Sequence, residues 1–247
     1  MEELEEYIKN ILRDAKELSK NEYIITPFLD ETYQKRLEDA LKYNKKITII
    51  KNGGIIDSLR NRIIIYNIND DVKPIFDIVV LKIKYNKKYI TLGHRNILGS
   101  LMGLGVKREC IGDIIKDDND DWYFAVSKEI YPFIKSNFNY VGSDNIDLDA
   151  CDKEIKNIIK LEYKTHFLSS MRLDLVVKEG FYIPRSLAQK AINDGLVYVN
   201  HLPIISSDYK TKIGDEINLR GKGKIKLEEE LGTSKSDKLI IKIGRYI

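Results

Sequence analysis

Apolar positions recur at helical spacing from the start of the chain. Leu4, Tyr7, Ile8, Ile11, Leu12, Ala15 and Leu18 fall on one face, which predicts an amphipathic helix over residues 2–18. Thr26-Pro27-Phe28-Leu29-Asp30 breaks that pattern, and a second helix is expected from Glu31 to Tyr43. Ile47 to Lys51 and Arg62 to Tyr66 read as strands on either side of the turn Asn52-Gly53-Gly54. Asn69-Asp70-Asp71 and Pro74 then mark a boundary. From Phe76 the pattern alternates between strand and helix. Asp77 to Tyr85 and Lys88 to Leu92 read as a hairpin around Asn86-Lys87, followed by a helix from Arg95 to Leu104. Ile111 to Lys116 and Trp122 to Val126 are expected to pair across the acidic turn Asp117 to Asp121. A helix capped by Ser127 runs to Ser136, Phe138 to Val141 closes the sheet, and Glu154 to Tyr163 is helical. This order predicts an α+β plait, RRM-like or ferredoxin-like, which is a frequent RNA-binding scaffold.

The carboxy-terminal third has a different rhythm. Ser169 or Ser170 can cap a helix whose apolar face is Leu173, Val176 and Val177, and Gly180 supplies a left-handed end. Pro184 suits the first position of a second helix, with Leu187, Ala188, Ala191 and Ile192 as its buried stripe and Gly195 as its stop. Leu196, Val197 and Val199 form a strand that ends at Asn200. The expected organisation is thus an N-terminal α/β region over residues 1–73, a central plait over 74–160 and a small carboxy-terminal domain over 161–247.

Composition changes this picture little, but charge does. Of 247 residues 32% are charged, and the net charge is only +3. Residues 161–247 hold 15 Lys and Arg against 11 Asp and Glu, whereas residues 1–160 hold 26 against 27. The basic excess therefore lies in the carboxy-terminal domain, as a nucleic-acid module requires. Cys110 and Cys151 fit no metal or redox spacing and are expected as free thiols in a reducing compartment. With no long apolar run and an acidic Met-Glu-Glu-Leu-Glu-Glu start, a cytoplasmic monomer away from membranes is expected.

Three clusters carry candidate chemistry. Arg185, Ser186, Gln189 and Lys190 sit at the start of the second carboxy-terminal helix, opposite its apolar stripe, where unpaired N–H groups already favour phosphate; Arg172 extends the cluster. In an extended chain Arg220, Lys222, Lys224 and Lys226 line one side, spaced about 7 Å apart, as a rail for a phosphate backbone or else as the lysines that protect an edge strand. His94 and Arg95 open the central helix, and Lys107 and Arg108 follow it. They can touch RNA or offset the helix dipole. Gly103 and Gly105 close a helix where a dinucleotide loop would open one, and His94-Arg95-Asn96 lacks the other parts of a kinase site. No catalytic residue, cofactor or metal is expected.

Arg172-Leu173-Asp174, then Arg185-Ser186-x-Ala188-Gln189, then Gly195-x-Val197-x-Val199-Asn200, resembles the S-four domain, a small RNA-binding module of a ribosomal protein, tyrosyl-tRNA synthetases and RNA-modifying enzymes. Pro184 stands where that pattern usually has Ser. Adding Thr26-Pro27-Phe28-Leu29-Asp30, Gly53-Gly54, the Gly93–Asp113 segment and Arg220-Gly221-Lys222-Gly223-Lys224, most of the chain is similar to the YlmH family. It departs from that family at Gly93, Asn96, Ser58 to Arg62 and Lys224. The resemblance implies a non-enzymatic RNA-binding protein of bacterial ribosomes. Its partners would be large-subunit ribosomal RNA and peptidyl-tRNA, in the pathway that adds carboxy-terminal tails to stalled chains; older descriptions link the family to cell division. Arg172-Leu173-Asp174 also resembles the Asp motif of pseudouridine synthases, and the alternatives are an RNA-modifying enzyme with an S-four module, a pseudouridine synthase or rRNA methyltransferase, or a cell-division adaptor.

Overall fold

The computed structural model describes residues 2–158 and 160–246, and forms two compact units, 1–158 and 159–247. The first unit opens with helix α1 (Glu2–Lys16), strand β1 (Tyr23–Ile25), helix α2 (Glu31–Leu41) and strands β2 (Ile47–Asn52) and β3 (Arg62–Asn67). Asp30 caps α2 by accepting the Tyr33 N–H. The three strands form an antiparallel sheet in the order β1-β3-β2. Its apolar face, with Ile63 and Ile65, packs under Ile11 and Ala15 of α1 and Leu37 and Leu41 of α2. Leu18 lies beyond the end of α1, and the side chain of Leu4 lies outside the described residues.

There follow β4 (Ile78–Lys84), α3 (His94–Gly103), β5 (Ile111–Lys116), β6 (Trp122–Ser127), α4 (Tyr131–Asn137), β7 (Tyr140–Val141), β8 (Asp144–Asn145) and β9 (Asp147–Ala150). The four long strands form an antiparallel sheet in the order β5-β6-β4-β9, which with α3 and α4 is the βαββαβ plait expected. Leu81, Phe124 and Leu148 of the sheet pack against Ile97 and Leu101 of α3 and Ile134 of α4.

Four local expectations fail inside this correct outline. Lys88 to Leu92 is no strand: Tyr89 and Ile90 donate back to the Asn86 carbonyl in a tight turn, and both edges of β4 are taken by β6 and β9. Ser127 is the last residue of β6, opposite Ile78, so α4 starts later than the cap reading placed it. Among the described residues Tyr140–Val141 pairs only with Asp144–Asn145, and the sheet is closed instead by the polar strand Asp-Leu-Asp-Ala of β9. Residues 154–158 are extended rather than helical, because the N–H and carbonyl of Ile56 bond to Ile155 and Asn157 at 2.8 Å each.

The plait differs from an RNA-binding sheet in one decisive respect. The face opposite α3 and α4 carries Val80, Ile115, Tyr123 and Ala125, and these are buried with Phe28 and Ile55 from the N-terminal segments. Gly112 is part of this closure, since a Cβ there would lie 2.8 Å from the Phe28 ring and 2.9 Å from Ala125. Two family-like segments, at Thr26 and Asp113, and the Ser58 to Arg62 run that departs from the pattern do the joining. Thr26 accepts the Ile63 N–H, Arg62 donates to the carbonyls of Thr26, Phe76 and Asp77, and Asp113 accepts the N–H groups of Leu59 and Arg60.

The second unit comprises β10 (Leu161–Leu168), α5 (Leu173–Phe181), α6 (Arg185–Asn193), β11 (Val197–Val199), β12 (Leu202–Pro203), β13 (Glu216–Leu219), β14 (Gly223–Thr233) and β15 (Leu239–Tyr246). Its six-stranded sheet runs β10-β15-β14-β13-β11-β12. Val176 and Val177 of α5 and Ala188 and Ile192 of α6 pack on Ile217, Ile225, Leu227, Ile241 and Ile243 of that sheet.

Candidate nucleic-acid interface

The site is built around Asp174, whose residue is completely buried at the start of α5. A lone buried carboxylate would be costly, but this one is saturated with donors. Arg172 donates from Nε and Nη2 at 3.1 and 3.2 Å, Arg185 from Nε and Nη2 at 3.0 and 2.8 Å, and Gln189 from Nε2 at 3.0 Å. Burial pushes the carboxyl up, yet the hydrogen bonds from Arg172, Arg185 and Gln189 outweigh it and hold the group below its usual range. The result is a fixed anion that orients two guanidiniums at the surface. Their side chains keep 32% and 49% of their area exposed, so each can still meet a phosphate. Ser186 and Lys190 are exposed on α6 beside them.

The local backbone explains how the cluster is held. The first N–H groups of α5, at Leu173 and Asp174, donate to the carbonyls of Tyr209 and Ser207, so neither Ser169 nor Ser170 caps the helix; Arg172 occupies the capping position. Gly180 lies inside α5 and does not end it. A Cβ there would fall 2.3 Å from Cδ1 of Ile225, so its role is close approach of helix to sheet. Tyr182 takes the left-handed position instead, and Pro184 leads into α6. Leu187, expected in the buried stripe, is 52% exposed among the polar residues of the first turn.

The second cluster is not one continuous rail. Arg220 and Lys222 lie exposed in the β13–β14 turn, where Gly221 and Gly223 have positive φ of +81° and +105°. Lys224 and Lys226 belong to β14 and are engaged within the sheet: Lys224 pairs with Glu216 at 2.7 Å and lies 4.8 Å from the Tyr246 ring, and Lys226 pairs with Glu228 at 3.2 Å. The turn is tied to the end of the helical pair by the Arg220 N–H, which donates to the Leu196 carbonyl.

In the first unit His94, Arg95 and Lys107 are exposed, but Arg108 is turned inward. Its guanidinium donates to the carbonyls of Ile111 and Gly112, and burial followed by the nearby Arg60 pushes it down to about 10. Arg60 likewise donates to Ile111 and Phe28 carbonyls. Both arginines border a groove of about 690 Å³ that Asp30 and Glu109 also line, so its cations have counter-charges. Sequence reasoning missed Lys164, His166 and Tyr182, which cluster beside α5. The alternation Glu162-Tyr163-Lys164-Thr165-His166-Phe167, rich in aromatic and β-branched residues, is the strand signal; the expected helix Glu154 to Tyr163 overlaps its start and no element was expected over the rest.

Comparison with known proteins bears on both units. Residues 73–155 match the family model described as the putative RNA-binding domain in YlmH, and residues 171–217 match that of the S4 domain. The ribosome-associated protein quality control protein P2 of Bacillus subtilis (strain 168) is 28% identical over 219 residues, spanning 87% of this chain and 84% of that protein. The solved cell division protein ylmH from Streptococcus pneumoniae superposes with a TM-score of 0.50 at 19% identity, over 61% of this chain and 90% of that one, which is a likeness of fold. Among the described residues no helix is long and apolar enough to cross a membrane.

Proposed function

We propose that this chain, an RNA-binding protein of the YlmH type, works as a cytoplasmic monomer on the large ribosomal subunit. There it holds ribosomal RNA together with a peptidyl-tRNA during carboxy-terminal tailing of stalled chains. The observation that carries this reading is the Asp174 clamp, which holds Arg172, Arg185 and Gln189 ready at the tip of the helical pair. Phosphates replace water on guanidiniums whose orientation is already set, so less side-chain entropy is lost on binding. Lys190, Arg220 and Lys222 supply further charge, and shape selectivity comes from rigid presentation on a helix end. Support for the ribosome comes from the Bacillus subtilis relative, whose name places that protein there.

The same clamp argues against the enzymatic alternative. Both oxygens of Asp174 accept from protein donors, and the carboxyl is held ionised beneath two arginines. A nucleophile or general acid needs a lone pair or proton directed at substrate. Crosslinking the full chain to RNA in cells and sequencing the attached fragments tests the proposal: large-subunit ribosomal RNA and tRNA should dominate. Fragments spread over messenger RNA, or absent altogether, would overturn it.

A further inference from the structure

Tyr182 pairs an uncommon backbone with an uncommon exposure. It follows α5 with φ 53° and ψ 47°, a left-handed conformation that glycine or asparagine adopts far more readily than a bulky aromatic residue. Its side chain is not used to fill the core, for the residue is 56% exposed. The ring rests on the imidazole of His166, with centroids 5.7 Å apart and planes at 47°, and the Lys164 ammonium lies 5.5 Å from its centroid. His166 is buried and its proton affinity pushed down, first by that burial and also by Lys164, while Glu179 acts the other way. It is thus a neutral prop behind the ring. The charges around it include Lys164, which pairs with Glu162 at 2.9 Å, Glu179, which pairs with Lys178 at 2.5 Å, and Arg245, which lines the same small cavity. Ile183 and Pro184 lead directly from Tyr182 to Arg185, so the two residues flank the connection between α5 and α6.

We propose that Tyr182 is a stacking seat for an unpaired RNA base, with Arg185, Lys190 and Lys164 holding the phosphates around it. The inference rests on the RNA-binding reading above and narrows its substrate class, from folded RNA in general to RNA with a bulged or flipped-out nucleotide beside a stem. A regular A-form duplex has no free base face to offer, whereas any unstacked base can lie on a tyrosine ring whatever its identity. The left-handed turn serves to project the ring outward at the helix end.

The test uses the full chain and two RNA hairpins of the same stem, one fully paired and one carrying a single bulged 2-aminopurine. Wild type should bind the bulged hairpin more tightly and quench its fluorescence. Tyr182→Ala should weaken binding to the bulged hairpin by roughly tenfold or more and leave the paired hairpin unchanged, while Tyr182→Phe should retain both properties. Tyr182→Gly relieves the backbone and should melt no lower than wild type while losing the quench, which separates stacking from folding. Equal weakening of both hairpins by Tyr182→Ala, or no wild-type preference for the bulge, would overturn the proposal. Lys190→Glu should weaken both hairpins alike. Failure of wild type to bind either hairpin would instead bring down the RNA-binding reading, and this inference with it.

Discussion

At the scale of the residue, Asp174 shows how a small acidic side chain can organise a basic surface. Removing its charge leaves two arginines beside a buried, uncompensated site. Asp174→Asn should destabilise the second unit by about 2–3 kcal/mol, toward the low end for buried pairs because both guanidiniums keep contact with water. Urea unfolding of the two proteins measures it. The pH dependence follows from the same shift. The folded carboxyl binds protons more weakly than the unfolded one, so its stabilisation is complete above about pH 4 and fades as pH falls through the folded value. The acid limb of stability should be flatter in Asp174→Asn. In the sequence Asp174 stands out only as part of a motif, because nothing in one dimension shows Arg172, Arg185 and Gln189 converging on it. Gly180 carries a similar lesson: a glycine near a helix end signals either a left-handed stop or a close approach, and only Ile225 across the core decides between them.

At the scale of the element, helices and long apolar strands were legible because their periodicity is local. The plait was legible from the alternation of strands and helices, although the expected order held an extra strand at Lys88 to Leu92 and the wrong closing strand. What escaped were strands without an apolar signal, such as Asp147–Ala150, whose place is set by the open edge of β4. The covered face of the plait was invisible too, since Val80, Tyr123 and Ala125 would alternate in the same way whether they met RNA or Phe28. Gly112→Ala places a methyl against the Phe28 ring and Ala125, and should cost about 1–3 kcal/mol in thermal or denaturant unfolding. The interrupted rail makes a further prediction. Lys222→Ala in the exposed turn should reduce the salt dependence of RNA binding by about one counterion, whereas Lys226→Ala, already paired with Glu228, should change it far less. Equal slopes in a titration of binding against salt would restore the uninterrupted strand.

At the scale of the whole molecule, two units with separate cores share one chain, and the basic excess is confined to the second. The family resemblance was readable early because its motifs span both units. Several of those motif residues prove structural: Thr26, Arg108 and Asp113 bind backbone groups of the first unit. Residues 159–247 bury their own set of side chains and should fold when expressed alone, giving dispersed amide resonances. On the proposed function, clamped and exposed cations of the second unit grip ribosomal RNA. The most direct test of that grip is co-sedimentation of the full chain with large ribosomal subunits between 50 and 200 mM salt, for wild type and Lys190→Glu/Lys222→Glu. This pair is preferable to Arg185→Glu, which would set a second carboxylate against Asp174 and confound folding with binding. Wild-type affinity should fall about 10³-fold across that range if half a dozen phosphates are neutralised, with the charge-reversed protein weaker throughout and less salt-dependent. A flat wild-type profile, or a variant that sediments as wild type does, would contradict it.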